Sequence, residues 1–149
     1  MEEIEVMEIM TLRHLSLNEV YEWVTTCDEK FCPPRWNEER LSEHVLKLSQ
    51  KAYFNLLIEK DIKVGFIAYY LNEEKKFAYI TLIAVAHEFR GKGCSKILLD
   101  SFLTHISSDV EEVSLEVSKV NAPALGLYKK YGFVEIEDRE EKVLMKKSL

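Results

Sequence analysis

Apolar residues recur along this chain with two different periods, and the switches between them mark out its elements. Leu17, Val20, Tyr21 and Val24 stand at i, i+3, i+4 and i+7, one stripe of a helix, and Leu41, Val45 and Leu48 form a second. Asn37, followed by Glu38 and Glu39, suits the N-cap and first turn of that second helix, where a helix dipole favours negative charge. Between the two stripes lies KFCPPRWN at 30–37, whose consecutive prolines forbid a helix and predict a loop presenting Phe31, Arg35 and Trp36. A short strand is expected ahead of the first helix, at Met7–Arg13.

The middle of the chain alternates instead. Phe54, Leu56 and Ile58, then Val64, Phe66, Ala68 and Tyr70, then Phe77, Tyr79, Thr81, Ile83 and Val85 read as three strands, each with one apolar face. The short polar breaks EKD at 59–61 and NEEKK at 72–76 suit hairpin turns, so the three strands are expected as antiparallel neighbours. Helical spacing returns at Leu99, Phe102, Leu103 and Ile106, and Val113, Leu115 and Val117 give another strand. Asn121 suits the cap of a last helix striped by Ala124, Leu127, Tyr128 and Tyr131, with Gly132 to end it. Strands near Phe133–Ile136 and Lys142–Lys146 close a mixed α/β chain.

Composition narrows the classes this pattern could serve. At 149 residues, 47% of them apolar, the chain has the material for one hydrophobic core and reads as a single domain over 1–149. Lys and Arg number 20 against 26 Asp and Glu, a net charge of −6 that disfavours nucleic acid as a partner. MEEIEVMEIM at the start lacks the basic and apolar segments of a secretory signal, and no apolar run reaches the length of a membrane span. Cys27, Cys32 and Cys94 are sparse and odd in number, which together with the missing signal predicts a cytoplasmic protein with no membrane partner. Cys27 and Cys32 have no matching second pair, so no metal is expected.

The candidate chemistry starts at HEFRGKGCSK, residues 87–96, between a strand and a helix. It lacks the Gly-Lys-Ser/Thr ending of a Walker loop and the third glycine of a dinucleotide fingerprint. What remains is a helix start with free amide N–H groups, two glycines and the charges of Arg90, Lys92 and Lys96. On this stretch alone, a solvated turn and a phosphate cradle both stay open.

VAHEFRGKGCS at 85–95, followed by NAPALGLYKKYGF at 121–133, resembles the two core motifs of the GCN5-related N-acetyltransferase (GNAT) family. Arg90 and Gly93 meet the first motif, Arg or Gln-x-x-Gly-x-Gly/Ala, with Ser95 as a departure in its last place; a hydroxyl is small enough to keep the approach open. Asn121, Ala124, Leu127, Tyr128, Gly132 and Phe133 meet the second in full, and the resemblance covers about residues 62–136. It implies an α/β (α+β) fold with a mixed, mostly antiparallel sheet of about six to seven strands and about four flanking helices, its central parallel pair splayed at the cofactor site.

The function implied is transfer of the acetyl group of acetyl-CoA to a primary amine without a metal. Arg90, Gly91, Lys92, Gly93, Cys94 and Ser95 would seat the pyrophosphate, and Ile83, Ala84 and Val85 would run beside the pantetheine arm. Asn121 would touch that arm, although its residue type also suits a plain N-cap. Tyr128 would be the acid toward the coenzyme sulfur, against the alternative of a core tyrosine on the helix stripe. Glu116, which alternates away from Val113, Leu115 and Val117, matches the glutamate that serves as base in the ribosomal-protein alanine acetyltransferase branch. Phe31, Arg35, Trp36 and Tyr79 are candidates for the acceptor pocket. Cys94, at a helix start, raises the idea of an acetyl-cysteine, with packing as the plainer role. A small-molecule amine, an amino-sugar and a peptide N-terminus all remain open as acceptor, as do a monomer and a homodimer. The alternative function is a non-catalytic acyl-CoA sensor on the same fold.

Overall fold

The computed structural model describes residues 7–13, 15–28 and 38–149. Phe31, Cys32, Arg35, Trp36 and the cap expected at Asn37 lie outside the described residues. In chain order the elements are β1 (Met7–Arg13), α1 (Leu17–Asp28), α2 (Glu38–Lys51), β2 (Tyr53–Glu59), β3 (Ile62–Asn72) and β4 (Phe77–Val85). A 3₁₀ turn at His87–Phe89 leads to α3 (Cys94–Ile106), β5 (Glu112–Ser118), α4 (Ala122–Lys130), β6 (Val134–Arg139) and β7 (Lys142–Ser148). The seven strands form one sheet in the order β1-β2-β3-β4-β5-β7-β6. Every neighbouring pair is antiparallel except β4 and β5.

Helices cover both faces of the β2–β4 region, which is why its strands carry few exposed positions. On one face Cys94, Leu98, Leu99, Phe102 and Ile106 of α3 pack on Leu57, Ile67, Tyr69, Ala78 and Ile80. On the other, Val20 of α1 and Val45 and Leu48 of α2 meet Phe54, Leu56, Phe66, Ala68, Leu82 and Ala84. Each fully buried Leu or Phe contributes about 1.5–3 kcal/mol relative to an exposed one, so both layers help to hold the sheet. The stripe expected on α1 is narrower than its spacing suggests: Val20 is buried, while Leu17 and Tyr21 stay half exposed. The β2–β3 hairpin turns at Lys60 and Asp61, both at positive φ (49° and 65°), the twist that joins adjacent antiparallel strands.

Phe77, Tyr79, Thr81, Ile83 and Val85 do not share a face, because the β3–β4 register passes from Ala68↔Leu82 to Tyr69↔Ile80 and leaves Thr81 as an extra residue. Before this bulge Ala78 and Ile80 point to the α3 layer; after it Ile83 and Val85 do, while Leu82 and Ala84 turn to α1 and α2. Burial alternates through the bulge without a break, since both faces are covered. The hydropathy pattern therefore keeps no trace of the change. Val64 is displaced in the same way, where the β2–β3 register shifts beside Leu57, and it faces the α3 layer while Phe66 and Ala68 face the other.

The Thr81 bulge also sets the shape of the sheet's centre. Parallel pairing of β4 with β5 runs from Phe77↔Glu112 to Ile80↔Leu115 and stops there. A bulge bends its strand and sharpens its twist, so the strand ends 81–85 and 116–118 part. β5 stays paired on its other edge, to β7, as far as Ser118. Among the described residues, the backbone groups of β4 that face this opening pair with no strand.

Candidate active site

At one lip of the opening, β4 gives way to the glycine turn and α3. Gly91 and Gly93 hold φ of 77° and 78°, the left-handed region that L side chains rarely adopt. Gly93 is the N-cap of α3, so no side chain caps the helix, and its first turn holds no acidic residue. The first N–H groups of α3 thus keep their capacity for an anion. Among the described residues a Cβ on either glycine would meet no atom within 4 Å, so the turn has open space in front of its backbone. Lys92 and Lys96 are exposed beside it, and Ser95 is half-buried.

Two residues of this stretch have roles in holding it. The Arg90 Nε donates to the Val85 carbonyl at 3.0 Å, tying the turn to the end of β4. Cys94 is buried in the α3 core, and burial, with the charge of Glu59, pushes its thiol up, the wrong direction for a nucleophile. Packing is what its position supports.

Across the opening, α4 begins at Asn121, whose Oδ1 accepts from the Ala124 N–H at 3.2 Å, so its N-cap role is met. The end of the same helix explains the spacing Tyr-x-x-x-Gly-Phe. Phe133 N–H donates to the Tyr128 carbonyl at 3.0 Å and Gly132 N–H to that of Lys129 at 3.0 Å, with Gly132 at φ 91°. This is a Schellman termination, and its hydrophobic contact is the Tyr128 ring against Phe133, centroids 5.8 Å apart. Tyr128, half-buried against the α3-side core, is thereby fixed by both backbone and ring.

On the opposite face of the sheet, Glu116 alternates with the buried Val113, Leu115 and Val117, as its position in the strand implies. Beside it stands Tyr79, which pairs in register with Tyr70 on that same face. Burial first, then the Glu116 charge and a hydrogen bond to that carboxylate, push Tyr79 up to about 12. Tyr70 is also pushed up to about 12 by burial, partly offset by the Thr81 hydroxyl. The Lys47 ammonium of α2 lies 4.7 Å from the Tyr70 ring centroid.

The residue that sequence reasoning missed is Arg139. Its Nη1 donates to Glu116 Oε1 at 2.7 Å and its Nη2 to Glu137 Oε2 at 3.2 Å. Nothing in the motifs points to it, because the link depends on the register of β7 between β5 and β6. Tyr128 packs on the α3 side of the sheet and Glu116 stands on its other face, while Ile83, Ala84 and Val85 lie beyond the last β4–β5 pair and lead toward the Arg90–Ser95 turn. A separate cavity of about 450 Å³, lined by Tyr53, Tyr69, Glu73, His105 and Asp109, sits at the other end of α3 and includes none of these residues. Among the described residues no group of three or more His, Cys, Asp or Glu is placed to hold a metal, and no helix is long and apolar enough to cross a membrane.

A mixed sheet that parts along its one parallel pair, with an uncapped helix start at the lip, is the architecture of the N-acetyltransferase class. The chain belongs to the acetyltransferase (GNAT) family, whose sequence profile matches residues 17–133, and that family draws its acetyl group from acetyl-CoA. It is 34% identical over 80 residues to an N-alpha-acetyltransferase of Saccharolobus solfataricus, a match that spans 48% of this chain and about half, 48%, of that relative. Over 126 residues it is 31% identical to a Bacillus subtilis protein assigned as a ribosomal protein bS18-alanine N-acetyltransferase, covering 83% of this chain and 78% of that one. The coenzyme A complex of the PaiA N-acetyltransferase from Thermoplasma acidophilum shares the fold, with a TM-score of 0.73 over 97% of this chain and 99% of that one at 17% identity.

Proposed function

We propose that the protein is an acetyl-CoA-dependent N-acetyltransferase whose acceptor is the α-amino group at a peptide or protein N-terminus. The observation that supports the transfer is the end of β4–β5 pairing after Ile80 and Leu115, in a sheet that carries Tyr128 on its α3 side and Glu116 on its other face. The acceptor class is supported by the names of the relatives, an N-alpha-acetyltransferase and a ribosomal-protein alanine acetyltransferase.

The residues present fit the coenzyme. The α3 start has no side-chain cap, and both glycines leave the space before them clear, which suits a compact dianion without a metal. Backbone groups on the β4 edge beyond Ile80, which do not pair with β5, suit the amides of a pantetheine arm. When bound, acetyl-CoA supplies an activated thioester carbonyl. Glu116 takes a proton from the acceptor ammonium, leaving the neutral amine to form the new C–N bond. A backbone N–H near Ala84 or Val85 donates to the carbonyl oxygen as charge develops there. Tyr128 would give its phenol proton to the sulfur as the thiolate leaves, and the second proton shed by the nitrogen on becoming an amide would restore the phenol.

A thiol-release assay across N-terminal peptides, free amino acids, amino-sugars and polyamines tests this reading. Release is expected with peptides, and Tyr128→Phe is expected to lower it roughly a hundredfold while calorimetry shows unchanged coenzyme A binding. Full turnover by Tyr128→Phe removes the acid role. Coenzyme binding without release from any acceptor leaves an acyl-CoA-binding module instead.

A further inference from the structure

We propose that Arg139 is a positioning residue of the transfer site: from the β6–β7 hairpin it reaches across β7 and holds the Glu116 carboxylate in the orientation from which it takes the acceptor's proton. This inference deepens the acetyltransferase reading and rests on it. Glu116 and Glu137 both pair in register with Leu144, so β7 lies between them. Arg139 stands at the end of β6, beyond a register shift that leaves Ile136 as an extra residue and turns the hairpin tip. Its guanidinium spans the gap, with Nη1 2.7 Å from Glu116 Oε1 and Nη2 3.2 Å from Glu137 Oε2. Charge-assisted contacts from one planar group fix direction as well as distance.

Glu116 is therefore held from two sides, by the Tyr79 hydroxyl on β4 and by Arg139. A glutamate free to rotate would spend little time aimed at one amine, and misplacement by about 1 Å can cost a hundredfold in rate. Two carboxylates share the one guanidinium, so the cluster keeps a net negative charge that suits an incoming ammonium. Packing gives no reason for this placement, because every residue of β6 is exposed. The Arg139 side chain is 40% exposed and that of Glu116 26%. Pairs this open add little to stability, so their loss should register in turnover rather than in folding.

The test uses steady-state thiol release with the best peptide of the panel. Arg139→Gln is expected to lower kcat roughly tenfold, 1.4 kcal/mol on the barrier, with the acceptor KM and coenzyme A affinity within about twofold of the starting protein. Arg139→Lys, which keeps one donor, is expected to recover to within about threefold. In a Glu116→Gln background the Arg139→Gln change is expected to add less than about twofold, because there is no carboxylate left to orient. Wild-type kcat in Arg139→Gln, an undiminished tenfold loss in the Glu116→Gln background, or unfolding of Arg139→Gln each overturns the proposal. Turnover without any Arg139 effect refutes this inference alone, whereas no thiol release from any acceptor refutes the acetyltransferase reading and takes this one with it.

Discussion

Gly65 on β3 offers a way to move the lip of the opening without replacing a proposed catalytic side chain. A Cβ built there would lie 2.5 Å from the Ala84 carbonyl oxygen, and 3.2 Å from both the Leu98 Cδ1 and the Val85 Cα. Leu98 can rotate, but the Ala84 oxygen is backbone in β4. Reaching ordinary contact at 3.4 Å requires about 0.9 Å of movement in that strand. Gly65→Ala should therefore cost about 1–3 kcal/mol through overpacking, offset by about 0.5 kcal/mol from the stiffer unfolded chain. A net loss of about 0.5–2.5 kcal/mol corresponds to a Tm lower by roughly 1–10 °C for a chain of this size. The displaced segment, Ala84 and Val85, is the proposed pantetheine edge, so calorimetry should find coenzyme A binding weaker by about tenfold or more, with the fold retained by circular dichroism. Wild-type Tm and wild-type coenzyme affinity together would refute the view that β3 holds the β4 edge in place.

Other changes probe separate links. Gly93→Val places a β-branched residue at φ 78°, which should cost about 1–3 kcal/mol locally and abolish coenzyme A binding by calorimetry; retained binding removes the α3 start from the site. Asn121→Ala removes the bond to the Ala124 N–H and should lower stability by about 1 kcal/mol in urea, with faster amide exchange in the first turn of α4 as its local signature. Tyr69, Tyr70, Tyr79 and Tyr131 are each pushed up to about 12 from 10.0, mainly by burial. Their raised folded values mean that the folded state holds protons more tightly than the unfolded one. That stability is fully present below pH 10 and is lost as pH rises toward 12. Phenolate absorbance should show a late-titrating group of tyrosines, with the thermal midpoint falling across the same window; a single titration near pH 10 with unchanged stability would contradict it.

Much of the molecule was legible because its signals are short-ranged. The stripe Leu99, Phe102 and Ile106 is buried as its spacing implies, and Asn121 and Gly132 begin and end α4 through hydrogen bonds within a few residues. The same locality explains why the second motif reads so clearly, since Tyr128, Gly132 and Phe133 are the parts of one helix ending. Thr81 shows the opposite case. Its bulge changes which face each later residue of β4 presents, yet a strand covered on both sides buries alternate residues either way. α1 differs from its stripe for a related reason: periodicity marks a face, but the neighbour that covers it sets how far that face is buried, and Leu17 and Tyr21 stay half exposed.

The chain by itself determined the order of its helices and strands, a glycine turn at the start of α3, the termination of α4 and the family to which these belong. All of these rest on torsional preferences and hydrogen bonds spanning a few neighbouring residues. The tertiary structure alone decided where β4 and β5 part, which layer each side chain of β4 enters, and that Arg139 meets Glu116 across 23 residues of sequence. Those outcomes depend on the register of strands brought together from distant parts of the chain, and register is set by the whole sheet settling between its two layers.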